Sequence, residues 1–276
     1  MTTTSIAASY ERDGFVSPIE LLSEAEAVAL RADLEAGEAE LADQPDKLAL
    51  LRGNLPQILP SFAALVRQPR LIDMVSQVLG PDLLVWGTNT FIKEPRTPNH
   101  LSWHQDLTYW GLDDEQELTA WVALSPATTA SGCMRFVAGS HARPIVPHVD
   151  TFAQNNMLTR GQEIAVDVDE AEATDVELRP GQCSMHHGHL FHASGPNSSD
   201  DRRIGIAVRY ITPAMAMQGG ERPLASLVSG EDRYGHFELM PPPAGRLQEA
   251  DFARVRRHQA IMRPILFQGA DESKRG

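Results

Sequence analysis

The sequence predicts a mainly β fold, a sandwich or jelly-roll barrel, braced by α-helices at its N-terminal end. Two observations carry this expectation. From residue 83 the chain breaks into short runs rich in β-branched and aromatic residues, separated by Gly, Pro, Asn and Ser turns. No helical pattern alternates with those runs, as a parallel α/β sheet would require, whereas the first 80 residues carry helical periodicity.

The elements follow in order. "LLSEAEAVALRADLEAGEAEL" places Glu26 three residues after Ser23, a capping box, and Ala27, Leu30 and Leu34 follow at helical spacing. A second helix fits "RLIDMVSQVLGPD", where Leu71, Val75, Val78 and Leu79 share a face and Gly80-Pro81 is the stop. Strands are expected at "LLVWGTNTFIKEP", "LTAWVALSP", "GCMRFVAGS", "ATDVELRPGQCSMHH", "HLFHASGPN" and "IGIAVRYITP". The stretch 140–173 is too long for a simple turn and suits a binding loop or lid. After about residue 214, Pro/Gly-rich segments such as "MPPPAG" precede a helix at "LQEADFARVRRHQAIM". The whole 1–276 is expected to form one domain: a helical part to about 80, a barrel from about 83 to 213, and a C-terminal extension from 214.

Composition narrows the function. With 42% hydrophobic and 22% charged residues, the chain is that of an ordinary globular enzyme. Its net charge of −13 disfavours nucleic acid and anionic membranes as partners. There is no apolar run of membrane-spanning length, and "MTTTSIAASYERDGF" lacks the regions of a signal peptide, so a cytoplasmic location is expected. Two cysteines, Cys133 and Cys183, form no CxxC motif and are expected as buried thiols.

"SWHQD" supplies the chemistry. On a strand, residues i and i+2 face one way, so His104 and Asp106 can present an imidazole and a carboxylate together while Gln105 points away. A rival copy, His148 and Asp150 in "PHVD", lacks the flanking strand pattern. A third ligand can come from His186, His187, His189 or His192 in "SMHHGHLFHASGPNSSDDRR". Two histidines and one carboxylate with open positions suit non-haem Fe(II). After His192 come Ser194, Asn197 and, eleven residues on, Arg203 at the start of a strand. An arginine fork and a hydroxyl beside a metal suit the distal carboxylate of 2-oxoglutarate.

These segments resemble the phytanoyl-CoA dioxygenase family of Fe(II)/2-oxoglutarate-dependent oxygenases, over roughly residues 10–215. The likeness is strongest in "SWHQDLTYW", "TAWVALSPATTASGCMRFVAGSH" and "HGHLFHASGPNSSDDRRIGIAVRY". It implies a double-stranded β-helix, a cupin-like jelly roll. It also implies iron ligands at His104, Asp106 and His192, and 2-oxoglutarate contacts at Arg203, Ser194 and Trp121, with Thr90 or Asn89 completing the pocket. Lys93 falls near a family lysine at a different spacing. His187 is expected either beside the metal shell or in a structural role, and His186 and His189 outside the shell. Halogenases of similar pattern have a small residue in place of the carboxylate, so Asp106 aligns the chain with the hydroxylating branch.

The resemblance therefore implies a dioxygenase that uses Fe(II), 2-oxoglutarate and O₂, with ascorbate as a supplement in vitro, and releases succinate and CO₂. A small polar metabolite is the expected substrate: a natural-product intermediate, an amino-acid derivative or an organophosphonate. Tyr109 and Trp110 could wall its pocket or cage a cation, and Asn156 and Arg160 could close over it from the long loop. The alternatives are a non-redox cupin-like isomerase or lyase, and a metabolite-binding barrel without turnover. Monomer and homodimer both remain open.

Overall fold

The computed structural model describes residues 5–270. The N-terminal part contains helix α1 (Ile6–Asp13), strand β1 (Phe15–Glu20) and helices α2 (Glu24–Glu40), α3 (Pro45–Gly53), α4 (Leu55–Ile58), α5 (Pro60–Leu65) and α6 (Pro69–Leu79). Strands β2 (Leu83–Lys93), β3 (Leu101–His104), β4 (Glu117–Ala123), β5 (Met134–Val137), β6 (His148–Asp150) and β7 (Gln162–Ile164) follow. Then come β8 (Ala173–Val176), β9 (Gln182–His186), β10 (His192–Ser194), β11 (Arg203–Ile211), β12 (Leu224–Ser229), β13 (Glu238–Leu239) and helix α7 (Glu249–Leu266).

Both expected N-terminal helices form, and for the expected reasons. Ser23 caps α2, accepting from the Glu26 backbone while the Glu26 carboxylate accepts from the Ser23 backbone. α6 starts at Pro69, takes a cap from the Gln68 side chain, and ends at Gly80 with φ +86°. Two features escaped the sequence reading. Residues 45–65 form three short helices, and the helical region is interrupted by β1, which pairs antiparallel with β9.

The strands form a seven-stranded sheet, β1-β9-β4-β11-β2-β12-β13, and a four-stranded sheet, β3-β10-β5-β8, with a small β6-β7 hairpin. The two sheets do not join into one hydrogen-bonded ring. The large sheet draws β1, β12 and β13 from outside residues 83–213. Period-two alternation decides its two faces. Leu118, Ala120 and Val122 of β4 and Ile204, Ile206, Val208 and Tyr210 of β11 pack with Leu34, Leu51, Ile58, Phe62, Leu71 and Val75 of the helices. Each such side chain contributes roughly 1.5–3 kcal/mol by leaving water, which is what holds the helical layer on the sheet. The other face carries Thr119 and Trp121 of β4 and Arg203, Ala207 and Arg209 of β11, and these look inward toward the small sheet.

Gly205 lies on that inward face because Trp121 occupies the space above it. A Cβ there would fall 1.8 Å from the indole. Cys133 and Cys183 are buried and unpaired, and burial pushes their thiols up to about 11 and about 12. Among the described residues, no helix is long and apolar enough to cross a membrane.

Candidate active site

Antiparallel pairing of β3 with β10 puts His104 directly opposite His192, so residues far apart in sequence become cross-strand neighbours, with ring centroids 4.0 Å apart. β3 ends at His104. Gln105 remains extended, which preserves the parity, and Asp106 opens a single 3₁₀ turn rather than continuing the strand. Gln105 points the other way, donating to the carbonyl of His189 and accepting from the Val146 backbone.

The two imidazoles are held alike. His104 Nδ1 lies 2.8 Å from the carbonyl of Ser102, and His192 Nδ1 lies 2.9 Å from that of Leu190. A carbonyl only accepts, so each Nδ1 carries a proton, and each Nε2 is the atom turned toward Asp106. Asp106 Oδ1 is 3.4 Å from His104 Nε2 and 3.8 Å from His192 Nε2. One ligand atom from each of the three residues falls within 4.8 Å of the others, the spacing a single metal ion needs. Burial drives His192 well below its ordinary value, so it stays neutral and able to ligate. Burial alone would raise the Asp106 carboxyl, but the imidazoles of His104, His186 and His192 and the Arg209 guanidinium around it hold it well below its usual range.

A small cavity runs from this triad along the inner face of the large sheet to Arg203. Arg203 is 1% exposed, and its Nε and Nη2 have no hydrogen-bond partner. Its guanidinium lies 5.3 Å from the Trp121 ring, and burial pushes it down to about 10. Lys93 faces Arg203 across β2 and β11; its Nζ donates to Ser194 Oγ at 2.6 Å and to the Gly195 carbonyl. Burial, then the Arg203 charge, bring Lys93 down to about 6.

The other expected residues fall into distinct places. Asn89 shares the inner face, but its Oδ1 accepts from Arg209 Nη1 at 2.6 Å, away from Arg203. Thr90 pairs with Ile206 and so lies on the opposite, helix-facing side of the sheet; alternation excludes it from the pocket. Tyr109 and Trp110 line a second cavity of about 580 Å³ that also touches His104 and Asp106. Trp110 stacks on Trp86, with centroids 4.9 Å apart. Asn156 does not reach that cavity: its side chain donates to Ser102 Oγ and accepts from the Leu158 backbone, tying the loop to β3. Arg160 lines the cavity, but its donors are committed to Asp150 and to the Gln268 carbonyl, and its guanidinium covers Tyr109. The rival pair is occupied elsewhere, since His148 Nε2 accepts from the Gln105 backbone and Asp150 binds Arg160.

Two residues beside the triad were missed. His187, for which a place beside the shell and a structural role were both expected, takes the structural one and packs against Tyr10 and His141. The neighbour is His186, whose Nε2 is 3.9 Å from Asp106 Oδ2 and whose ring nitrogens are buried without partners. Strand parity could have found it: Cys183 and Met185 face the helices, so Ser184 and His186 face inward. Arg209, on the same face as Arg203, touches both cavities.

Glu117 is buried behind the site, with Oε1 accepting from Thr119 Oγ1 at 2.6 Å and Oε2 without a partner. Burial pushes it up to about 8 from an ordinary 4.5, and the Asp106 charge adds to this against the Thr119 hydrogen bond and Arg209. The folded chain therefore keeps a proton that the unfolded chain releases near 4.5, and stability declines as pH rises from there through about 8. Glu117→Gln is expected to flatten that decline, read as the melting temperature between pH 5 and 8. Parallel profiles for variant and wild type would contradict it.

Comparisons with known proteins bear on the fold and the family. The chain is 36% identical to a solved non-heme monooxygenase, ThoJ in its apo form, with a TM-score of 0.86 over 96% of this chain and 98% of that one. It is 25% identical over 188 residues to a probable alpha-ketoglutarate-dependent hypophosphite dioxygenase of Stutzerimonas stutzeri, covering 67% of this chain and 65% of the relative. It is 30% identical over 146 residues to the ectoine dioxygenase of Bordetella parapertussis, covering 48% and 47%. These last two matches span less than two thirds of the relatives' own lengths. The family model described as phytanoyl-CoA dioxygenase matches residues 10–205, and the chain belongs to that family.

Proposed function

We propose that the chain is an Fe(II)/2-oxoglutarate-dependent dioxygenase that hydroxylates a C–H bond of a small polar metabolite. The observation that carries this is the pairing of the His104–Asp106–His192 triad with a buried, unpartnered Arg203 guanidinium on the same small cavity. Two imidazoles and one carboxylate fit Fe(II). A buried cation with two unsatisfied N–H groups costs free energy until an anion meets it, and a carboxylate matches its fork. The residues present therefore fit both iron and the distal carboxylate of 2-oxoglutarate.

Iron held by the triad supplies the oxidation, with O₂ and 2-oxoglutarate consumed and succinate and CO₂ released. The chain's own residues bind and orient. Arg203 and the Ser194 hydroxyl hold the distal carboxylate, Trp121 walls it, and Lys93 fixes Ser194 from behind. Once a carboxylate lies between Arg203 and Lys93, their mutual repulsion is offset and Lys93 takes up a proton more readily.

The 580 Å³ cavity is the substrate chamber, a volume that admits molecules up to drug size. Tyr109 and Trp110 offer ring surfaces near the triad. A metal-dependent isomerase or lyase would leave the Arg203 donors without a purpose.

The test is O₂ uptake by the iron-loaded chain with a panel of amino-acid derivatives, amines and phosphonates. Uptake that requires 2-oxoglutarate, with matching succinate and a product heavier by one oxygen atom, is the expected result. Substrate conversion that proceeds equally without 2-oxoglutarate would exclude the assignment.

A further inference from the structure

We propose that the substrate is an anion and that Arg263, at the mouth of the 580 Å³ chamber, receives its acidic group; the inference rests on the reading of that cavity as the substrate chamber. Six residues of the chamber wall are exposed, Asn89 and Thr159 and, on α7, Arg256, Gln259, Ala260 and Arg263, and these mark where it opens to water. Arg256, Gln259 and Arg263 follow one another at helical spacing, so one face of α7 borders the opening with two guanidinium groups.

The charge of this wall is unlike the charge of the chain. The chain has 37 acidic and 24 basic residues, yet the charged residues lining the chamber are four arginines, Arg160, Arg209, Arg256 and Arg263, and one carboxylate, Asp106. Asp106 belongs to the metal triad. Arg160 is neutralised by Asp150 and Arg256 by Glu249 at 2.8 Å, while Arg209 donates to the uncharged Asn89. The Arg263 side chain has no hydrogen bond or ion pair among the described residues. Two cations without a carboxylate of their own therefore face the chamber, one within it and one at its mouth, and a cleft focuses such a field on an entering anion. A cation meets the opposite. The rings expected to cage one, Tyr109 and Trp110, already have guanidinium groups over them, Arg160 at 4.4 Å and Arg209 at 4.7 Å, and an ammonium drawn to those rings would be repelled by the charges in place. A carboxylate or a phosphonate presents oxygens that the planar fork of Arg263 can bind. Arg263 is exposed and Asp106 largely buried, so the acidic group stays at the opening while the rest of the substrate reaches toward the triad.

Fluorescence titration of the full-length chain, loaded with Ni(II) and saturated with 2-oxoglutarate, tests the assignment with two dyes that share one ring system: anilinonaphthalene sulfonate, an anion, and phenylnaphthylamine, its neutral parent. Wild type is expected to bind the sulfonate more tightly, and rising salt should erode that preference. Arg263→Gln should weaken the sulfonate roughly 3- to 10-fold, the effect of a charge-assisted bond reduced by exposure, and leave the neutral dye unchanged. Arg263→Lys should keep most of the preference, and Arg257→Gln, on the same helix but outside the chamber lining, all of it. The inference is overturned if Arg263→Gln leaves the sulfonate affinity as it is, if it weakens both dyes alike, or if Arg257→Gln does as much. In the oxygen-uptake panel, turnover should come from the carboxylates or the phosphonates, and the stronger arm names the acidic group. Equal uptake with amines that lack an acidic group would overturn the inference and leave the dioxygenase reading standing. Uptake that needs no 2-oxoglutarate would remove the dioxygenase reading first and this inference with it.

Discussion

Asp106→Ala is expected to abolish 2-oxoglutarate-dependent oxygen uptake and to weaken divalent metal binding by more than the roughly 10- to 100-fold that loss of an outer-shell partner costs. The reason lies in the charges. An imidazole with Nδ1–H bound to a backbone carbonyl, as in His104 and His192, brings no negative charge, so Asp106 is the one residue of the three that offers it to a divalent cation. Its Oδ1 faces both Nε2 atoms, while Oδ2 looks toward His186. Removing the carboxylate leaves two imidazoles that touch the metal and one that does not. Because β3 and β10 are paired by backbone bonds at His104 and His192, the fold should survive, and circular dichroism together with a Ni(II) titration separates the two effects. A variant that retains full succinate formation with Fe(II) would remove Asp106 from the metal site.

The parts of this site that were legible in the sequence are those fixed by local parity or by motif. Alternation along one strand predicts that His104 and Asp106 look the same way, and it survives even though the strand ends and a 3₁₀ turn begins between them. The capping box at Ser23 was legible because both its partners lie within four residues. What stayed hidden depends on pairing between distant segments. β1 looked like part of a helical region because its value as a strand comes only from the β9 edge it covers. His186 was left outside the shell for lack of the register that turns it inward on β9. The loop residues Asn156 and Arg160 carried polar groups that suit a ligand, yet the chain uses them itself, one on Ser102 and the other on Asp150 and the end of α7. Arg209 had an available signal, an even spacing from Arg203 on a strand whose odd positions face inward. Nothing local distinguishes it from a surface arginine until β2 and β4 flank it.

Arg203→Met is expected to make the ligand-free chain more stable while removing its response to 2-oxoglutarate. In the folded chain Arg203 is 1% exposed and two of its nitrogens have no partner, so folding carries a desolvation cost that no protein group offsets. Methionine is of similar length, apolar and flexible enough to lie against Trp121, whose ring already faces this position. It also removes the cation that, after burial, depresses Lys93, so that lysine can hold a proton at a higher pH. Gains of about 1–4 kcal/mol have followed replacement of buried charges by packed apolar groups, and the melting temperature of the ligand-free variant should rise accordingly. The cosubstrate reverses this order. Wild-type protein with metal and saturating 2-oxoglutarate gains stability by mass action, whereas the variant loses the bidentate partner of the distal carboxylate and with it most of that gain. Two melting curves per protein, with and without 2-oxoglutarate in the presence of Ni(II), decide the matter. An Arg203→Met chain that melts lower than wild type without ligand would mean that the guanidinium is satisfied within the fold. A ligand-induced shift equal to wild type would mean that 2-oxoglutarate is held elsewhere. If both changes go as expected, the unsatisfied charge is a stability cost kept for the sake of binding.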